Sequence, residues 1–273
     1  MNIHERSKIM SEVLYLNNQG LIQSQIATRV GVPQPTIGRW LCARGIHGPN
    51  YNYYTEVTPH QQNVLVGTML GDGHLGLDSS GNQTNPNLQW SHGPKQVKYL
   101  KWKAEQFGPL FTHTEPHSYV KKDGNIGFHI SSRCHPLLKP YHDLFYFRPD
   151  SECTKHIHKK RITPEILDRV TDQALAIWWC DDGSMDRPSL YNPNRRDAAK
   201  MVLGALTETE YELIETWFCD QGYKTTRNKW LTNGENCVTI LFSADSTESF
   251  MSHILPHVPP CMQFKLSSFG CMP

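Results

Sequence analysis

No apolar run in this chain of 273 residues approaches the ~18 needed to cross a bilayer, which excludes a membrane-spanning helix. The stretch from Met1 to Ser11 lacks the apolar core of a signal peptide, so the chain is expected inside a cell. Its eight cysteines form no Cys-x-x-Cys pair. Without an export signal they read as reduced thiols rather than a disulfide framework. Cys153, His156 and His158 lie close together, but their spacing fits no common zinc site. An excess of one charge is missing too: the net charge of +1 gives no global attraction to a polyanion. What is present is ample apolar material, 38% of residues with seven tryptophans, enough for one to three globular domains.

The charges are unevenly spread. Residues 1–58 carry 5 basic and 3 acidic side chains, residues 59–162 carry 13 and 8, and residues 163–273 carry 9 and 15. The last acids concentrate in one helical stretch (Glu208, Glu210, Glu212, Glu215, Asp220), a solvated outer face. The bases collect instead in turns and strands: Lys121 and Lys122, Arg195 and Arg196, then Lys224, Arg227 and Lys229. Basic strands backed by acidic helices suit a saddle for nucleic acid, although an ordinary mixed surface also carries such charges.

Two stretches resemble one another. Leu65-Val66-Gly67-Thr68-Met69-Leu70-Gly71-Asp72-Gly73 and Leu175-Ala176-Ile177-Trp178-Trp179-Cys180-Asp181-Asp182-Gly183 each run apolar and helical into a carboxylate followed by glycine. A helix C-terminus is already negative, so an acid there is unfavourable unless a cation supplies the missing charge. The glycine beyond is expected to end the helix in a left-handed conformation. If the helices lie side by side, Asp72 and Asp182 repel, and hard oxygen donors with nearby carbonyls suit Mg²⁺ or Mn²⁺. Gly67 and Gly71 stack on one helix face and admit a second backbone, whereas the second stretch offers Ala176 and Cys180 displaced by one position. Either motif alone also fits a buried helix with a polar end.

The pair resembles the two signature motifs of the LAGLIDADG homing endonucleases, in the single-chain form. The second copy departs at Ile177 and Asp181 and is similar to the Trp-aromatic-x-Asp-Asp-Gly variant of the intron-encoded mitochondrial members. The resemblance covers about residues 58–267 and implies a monomer that binds double-stranded DNA and leaves a staggered double-strand break with 3′ overhangs. Asp72 and Asp182 are then the catalytic acids and metal ligands, with Gly71 and Asp181 near the metal; register favours Asp182 over Asp181. Lys160 and Lys265 match the family's flanking basic residues, with Arg161 the competitor to Lys160. The setting implied is a bacterial or phage-infected cytoplasm or an organellar matrix. Non-cutting relatives on this scaffold, an intron RNA maturase or a transcription regulator, form the alternative, with host intron RNA as their partner. Met1 and the lack of a terminal His-Asn pair argue against an intein.

Along the chain, helices are expected over 7–18, from a Ser24 cap to Val30, and from Pro33 to Ala43. Ile26, Ala27, Gly31, Val32, Ile37 and Leu41 follow a helix-turn-helix pattern, which presents Gln34, Pro35, Thr36 and Arg39 toward a major groove. Residues 1–44 are this small all-α domain and 45–57 a linker. Residues 58–162 and 163–273 are two half-domains of an α+β, pseudo-twofold αββαββα repeat, whose two antiparallel sheets form a DNA-binding saddle. Strand alternation gives two candidate reading sets: Gln89, Ser91, Lys224, Thr226 and Asn228, or the opposite set with Arg227 and Lys229.

Overall fold

The computed structural model describes residues 3–19, 21, 23–42, 44, 56–77, 85–111, 114–121, 123–147, 159–186, 196–204, 206–232 and 235–266. It divides into two compact units, Met1–Glu56 and Val57–Pro273. The first unit holds helices α1 (Ile3–Asn18), α2 (Gln23–Val30) and α3 (Gln34–Cys42). Gly31 turns the chain between α2 and α3 at φ 68°, a left-handed conformation that disfavours any side chain. Ile26, Ile37 and Leu41 are fully buried and Val32 packs on them, the core that the helix-turn-helix pattern requires. The core also takes in Met10, Val13 and Leu16 of α1, and Trp40 beneath the Arg6 guanidinium. Ser24 does not cap α2: the helix already starts at Gln23, and the Ser24 carbonyl accepts from the Thr28 hydroxyl. Most of the predicted linker lies outside the described residues, as do Lys122, Arg195, Cys153, His156 and His158.

In the second unit the order is α4 (Pro59–Leu70), β1 (His74–Gly76), β2 (Asn87–His92), α5 (Val97–Gln106), β3 (His117–Val120), β4 (Ile126–Ser131) and α6 (Lys139–Phe145). A short ribbon, β5 (Tyr146–Phe147) with β6 (Lys159–Lys160), and helix α7 (Pro164–Leu167) lead to the second round. That round is α8 (Asp172–Asp182), β7 (Gly183–Asp186), β8 (Ala198–Leu203), α9 (Glu208–Asp220), β9 (Thr225–Thr232), β10 (Glu235–Phe242) and α10 (Ala244–Ile254). The sequence αββαββα therefore occurs twice. Both four-stranded sheets are antiparallel with the same strand order, β1-β2-β4-β3 and β7-β8-β10-β9.

Local chemistry fixes where these elements begin. Thr58 accepts the Gln61 N–H while the Gln61 side chain accepts the Thr58 N–H, with Pro59 opening α4. Thr207 and Glu210 repeat that box on α9, while Thr171 caps α8 and Ser243 caps α10. Strand β7 follows directly from Gly183, with no polar break to announce it. Prolines shape the shorter helices: single 3₁₀ turns at Pro94–Gln96 and Pro136–Leu138 precede α5 and α6.

At the centre of this unit α4 packs on α8. A Cβ added to Gly67 would lie 2.3 Å from the Ala174 carbonyl oxygen and 2.7 Å from Ile177 Cβ; one on Gly71 would lie 2.5 Å from Asp181 Cβ. The facing positions on α8 are thus Ala174, Ile177 and Asp181, not the displaced Ala176 and Cys180 read from the sequence. Gly67→Ala is expected to cost about 1–3 kcal/mol of stability by forcing the helices apart. Urea unfolding followed by the fluorescence of buried Trp178 and Trp179 measures this; an unchanged midpoint would show that the contact is not tight.

Candidate active site

The two motifs end differently. Helix α4 stops at Leu70, so Asp72 lies beyond its cap, whereas Asp182 is the last residue of α8. Neither Gly73 nor Gly183 (φ −85°) is left-handed. Their role is close approach: a Cβ on Gly183 would lie 2.2 Å from the Trp179 ring. This corrects the expectation of left-handed stops. The carboxylate of Asp182 accepts from the Trp178 indole N–H at 3.2 Å. The Asp72 side chain is 45% exposed and its Oδ2 lies 3.2 Å from His92 Nδ1.

A lysine sits at each helix end. Lys160, on β6, donates to the Gly71 carbonyl at 2.9 Å. Lys265 donates to the carbonyls of Cys180 at 2.6 Å, Gly183 at 2.8 Å and Asp181 at 3.4 Å. Each ammonium thus occupies the negative pole of its own half's motif helix. Arg161, by contrast, donates to the carbonyls of Leu144 and Asp143, away from the acids.

Two residues that the sequence reading passed over complete the cluster. His92 ends β2, where the alternation Leu88, Trp90, His92 turns inward, and its side chain is buried. Lys103 lies on the buried face of α5 with Tyr99 and Leu100, and its Nζ is 3.0 Å from Asp181 Oδ1. A polar residue on an otherwise buried strand face, and a lysine in an apolar helix stripe, are the signals that mark them. The donor atoms of Asp72, His92 and Asp181 all lie within 4.8 Å of one another.

These repeated helices with acids at their ends find a match among known proteins. A model of the LAGLIDADG DNA endonuclease family fits residues 62–250, well over half of the chain. The chain belongs to that family. Protein RecA of Mycobacterium leprae (strain TN) is 27% identical over 219 residues, 77% of this chain but 29% of that protein; the chain thus spans less than half of the RecA proteins that lead the matches. DNA endonuclease I-ChuI of Chlamydomonas applanata is 25% identical over 218 residues, 78% of this chain and 96% of that protein. The solved structure of the homing endonuclease I-WcaI bound to its DNA recognition sequence has the same fold, with a TM-score of 0.63 at 18% identity over 80% of this chain and 90% of that one.

The electrostatics of the LAGLIDADG acids fit a divalent cation. Burial, and then the negative charges of Asp181 and Asp72, push Asp182 well above the ordinary carboxylate range against the pull of Lys160 and the Trp178 hydrogen bond. Burial also acts upward on Asp72, but the His92 hydrogen bond and the charges of His92, Lys103 and Lys160 outweigh it and leave its pKa lowered. Burial lowers Lys160 and Lys265 against the raising influence of the surrounding acids. Crowded carboxylates beside backbone carbonyls are hard donors for Mg²⁺ or Mn²⁺, and a divalent charge would relieve the repulsion on Asp182.

The strand faces separate the other candidates. Gln89 and Ser91 lie on the open face of β2, opposite buried Leu88, Trp90 and His92. Thr226 and Asn228 share the open face of the second sheet with Lys200, Val202 and Thr239, and Lys224 is exposed just before β9. Arg227 instead pairs in register with buried Ile240 and meets Glu208 at 2.6 Å and Glu215 at 3.2 Å on α9; Lys229 meets Glu208 at 2.8 Å. Alternation therefore puts both on the helix side, which corrects their assignment as readers. Arg196 pairs with Asp245 and Glu248, and Lys121 is exposed after β3.

A pH dependence follows from Asp182. Its folded pKa is raised, so the stability it contributes is full below the unfolded value and is lost as pH rises through the folded one. Without divalent ions, the melting temperature should fall as pH climbs above about 4, and Asp182→Asn should flatten that fall. Equal slopes for the two proteins would mean that Asp182 is not crowded by its neighbours.

Proposed function

We propose that this chain is a site-specific DNA endonuclease of the homing type that acts as a monomer. It makes a divalent-metal-dependent staggered double-strand break, with 3′ overhangs, in a long recognition site. The observation that carries this reading is the convergence of Asp72 and Asp182 from two halves of one chain, with Lys160 and Lys265 at the adjoining helix ends. Each half brings one acid and one lysine, which matches the two strands of a duplex. The relatives named above include DNA endonucleases and a homing endonuclease bound to its DNA recognition sequence.

The residues that would hold Mg²⁺ or Mn²⁺ are Asp72 and Asp182, with the Gly71 carbonyl beside them. Such an ion supplies charge neutralisation at the phosphate and acidifies a bound water. The chain's own groups do the rest. Lys160 and Lys265 keep their Nζ groups beside the acids through their carbonyl partners and present positive charge to a phosphate. On the open sheet faces, Gln89 and Asn228 offer the amide pairing suited to adenine, and Ser91 and Thr226 bond either kind of base edge. The Met1–Glu56 unit adds a separate contact through exposed Gln34 and Arg39 and half-exposed Thr36 on α3.

The duplex that joins the genomic sequences on either side of the protein's own genetic element, incubated with Mg²⁺, is the substrate that tests this. Asp72→Asn and Asp182→Asn are each expected to abolish cleavage while a gel shift with the duplex persists. Cleavage equal to that of the native protein would refute the roles of these acids, and binding without any cleavage by the native protein would favour a non-cutting binder. For the N-terminal unit, Arg39→Ala is expected to weaken affinity for the same duplex; an unchanged dissociation constant and footprint would remove its DNA role.

A further inference from the structure

The ion pair Lys103–Asp181 joins the two halves of the repeat, and its side chains are wholly buried. Both oxygens of Asp181 are occupied. Oδ1 accepts from Lys103 Nζ at 3.0 Å; Oδ2 accepts from Lys103 at 3.3 Å and from the Asp72 N–H at 3.3 Å. The ammonium is walled by the rings of Tyr99 and Trp90, 4.4 and 5.3 Å from their centroids. The Tyr99 hydroxyl in turn donates to the Ile177 carbonyl, one turn ahead of Asp181. His92 stands between the carboxylates, with Nδ1 3.2 Å from Asp72 and Nε2 3.7 Å from Asp181. Asp72 is therefore held twice, at its backbone by Asp181 and at its carboxylate by His92.

This arrangement leaves Asp181 a poor metal ligand. A divalent cation there would sit beside a buried ammonium that no water screens. Asp182 accepts instead from a neutral indole. Among the described residues nothing equivalent supports the second half: α9, the counterpart of α5, contains no Lys, Arg or His, and β8 ends in Leu203 where β2 ends in His92.

We infer that Lys103 and Asp181 form a positioning pair that aims Asp72, which makes Asp182 rather than Asp181 the metal-binding acid of the second half. Because the support falls on one half alone, breaking it slows the cutting of one strand more than the other. The inference rests on the nuclease reading above and adds to it a one-sided device.

A supercoiled plasmid that carries the target, and Mn²⁺ binding followed by electron paramagnetic resonance, test it together. Lys103→Met is expected to accumulate nicked circles, with one strand slowed about 10–100-fold. The double variant Lys103→Met/Asp181→Asn buries no charge, and its Mn²⁺ affinity should stay within about threefold of the native protein, while Asp182→Asn loses Mn²⁺. Equal slowing of both strands by Lys103→Met, or a double variant that loses Mn²⁺ as Asp182→Asn does, would overturn the inference. Should Lys103→Met not fold, the Mn²⁺ affinity of the double variant decides. A native protein that binds Mn²⁺ but does not cut ends the nuclease reading while that comparison still judges the pair; one that binds no Mn²⁺ ends both.

Discussion

The close approach of α4 and α8 governs this molecule. Two helix backbones brought within contact at Gly67 and Gly71 set their C-terminal ends side by side, and with them two negative poles and three aspartates. Such a concentration of negative charge in a largely buried place is unstable by itself. The rest of the site distributes cations to hold it: Lys160 and Lys265 on the carbonyls, Lys103 on Asp181, His92 beside Asp72. Among the described residues Asp182 has no charged hydrogen-bond partner; it keeps the indole of Trp178 and the repulsion of its neighbours. The Lys103 ion pair thus neutralises Asp181, whereas Asp182 is left crowded by its neighbours.

That division explains the second motif. Where the first copy has glycine at the seventh position, the second has Asp181, and Gly71 faces it with no room for a side chain. The two departures from the family pattern are therefore complementary to the first copy. Ile177 fills the space opposite Gly67, and Asp181 fills the space opposite Gly71 while accepting the Asp72 N–H. The pseudosymmetry of the fold is close in its strand order and broken at the site.

Much of this was legible in the sequence because it is carried by local, strongly directional rules. Thr58, Thr171 and Thr207 stand as caps before α4, α8 and α9, and the alternation of Leu88, Trp90 and His92 with Gln89 and Ser91 sorts the two faces of β2. The paired motifs were visible as spacing, and the flanking lysines through the family resemblance. What the sequence hid was long-range: that α5 of one half reaches α8 of the other through Lys103, and that His92 turns toward Asp72 rather than outward. A lysine within a helix that also carries exposed Lys98 gives no hint of which ammonium is buried until the apolar stripe of Tyr99 and Leu100 is drawn through it. The face of β9 was undecidable for the same reason, since alternation fixes only which residues go together.

The corrected strand faces bear on how a nearly neutral protein would hold a polyanion. Arg227 and Lys229, the most basic part of the second half, are spent on Glu208 and Glu215 and bind α9 to its sheet. Among the described residues the open faces present mainly uncharged groups instead: Gln89, Ser91, His117 and His129 on the first sheet, Thr226, Asn228 and Thr239 on the second, where Lys200 is paired with Asp186. Burial keeps His129 below the ordinary histidine range, so it reads as a neutral ring. Under the nuclease reading, such a surface draws its selectivity from hydrogen bonds to base edges more than from phosphate attraction, and the counterion term in its affinity is correspondingly small. The strong positive charge is reserved for the end of the helix pair, where the scissile phosphates would lie.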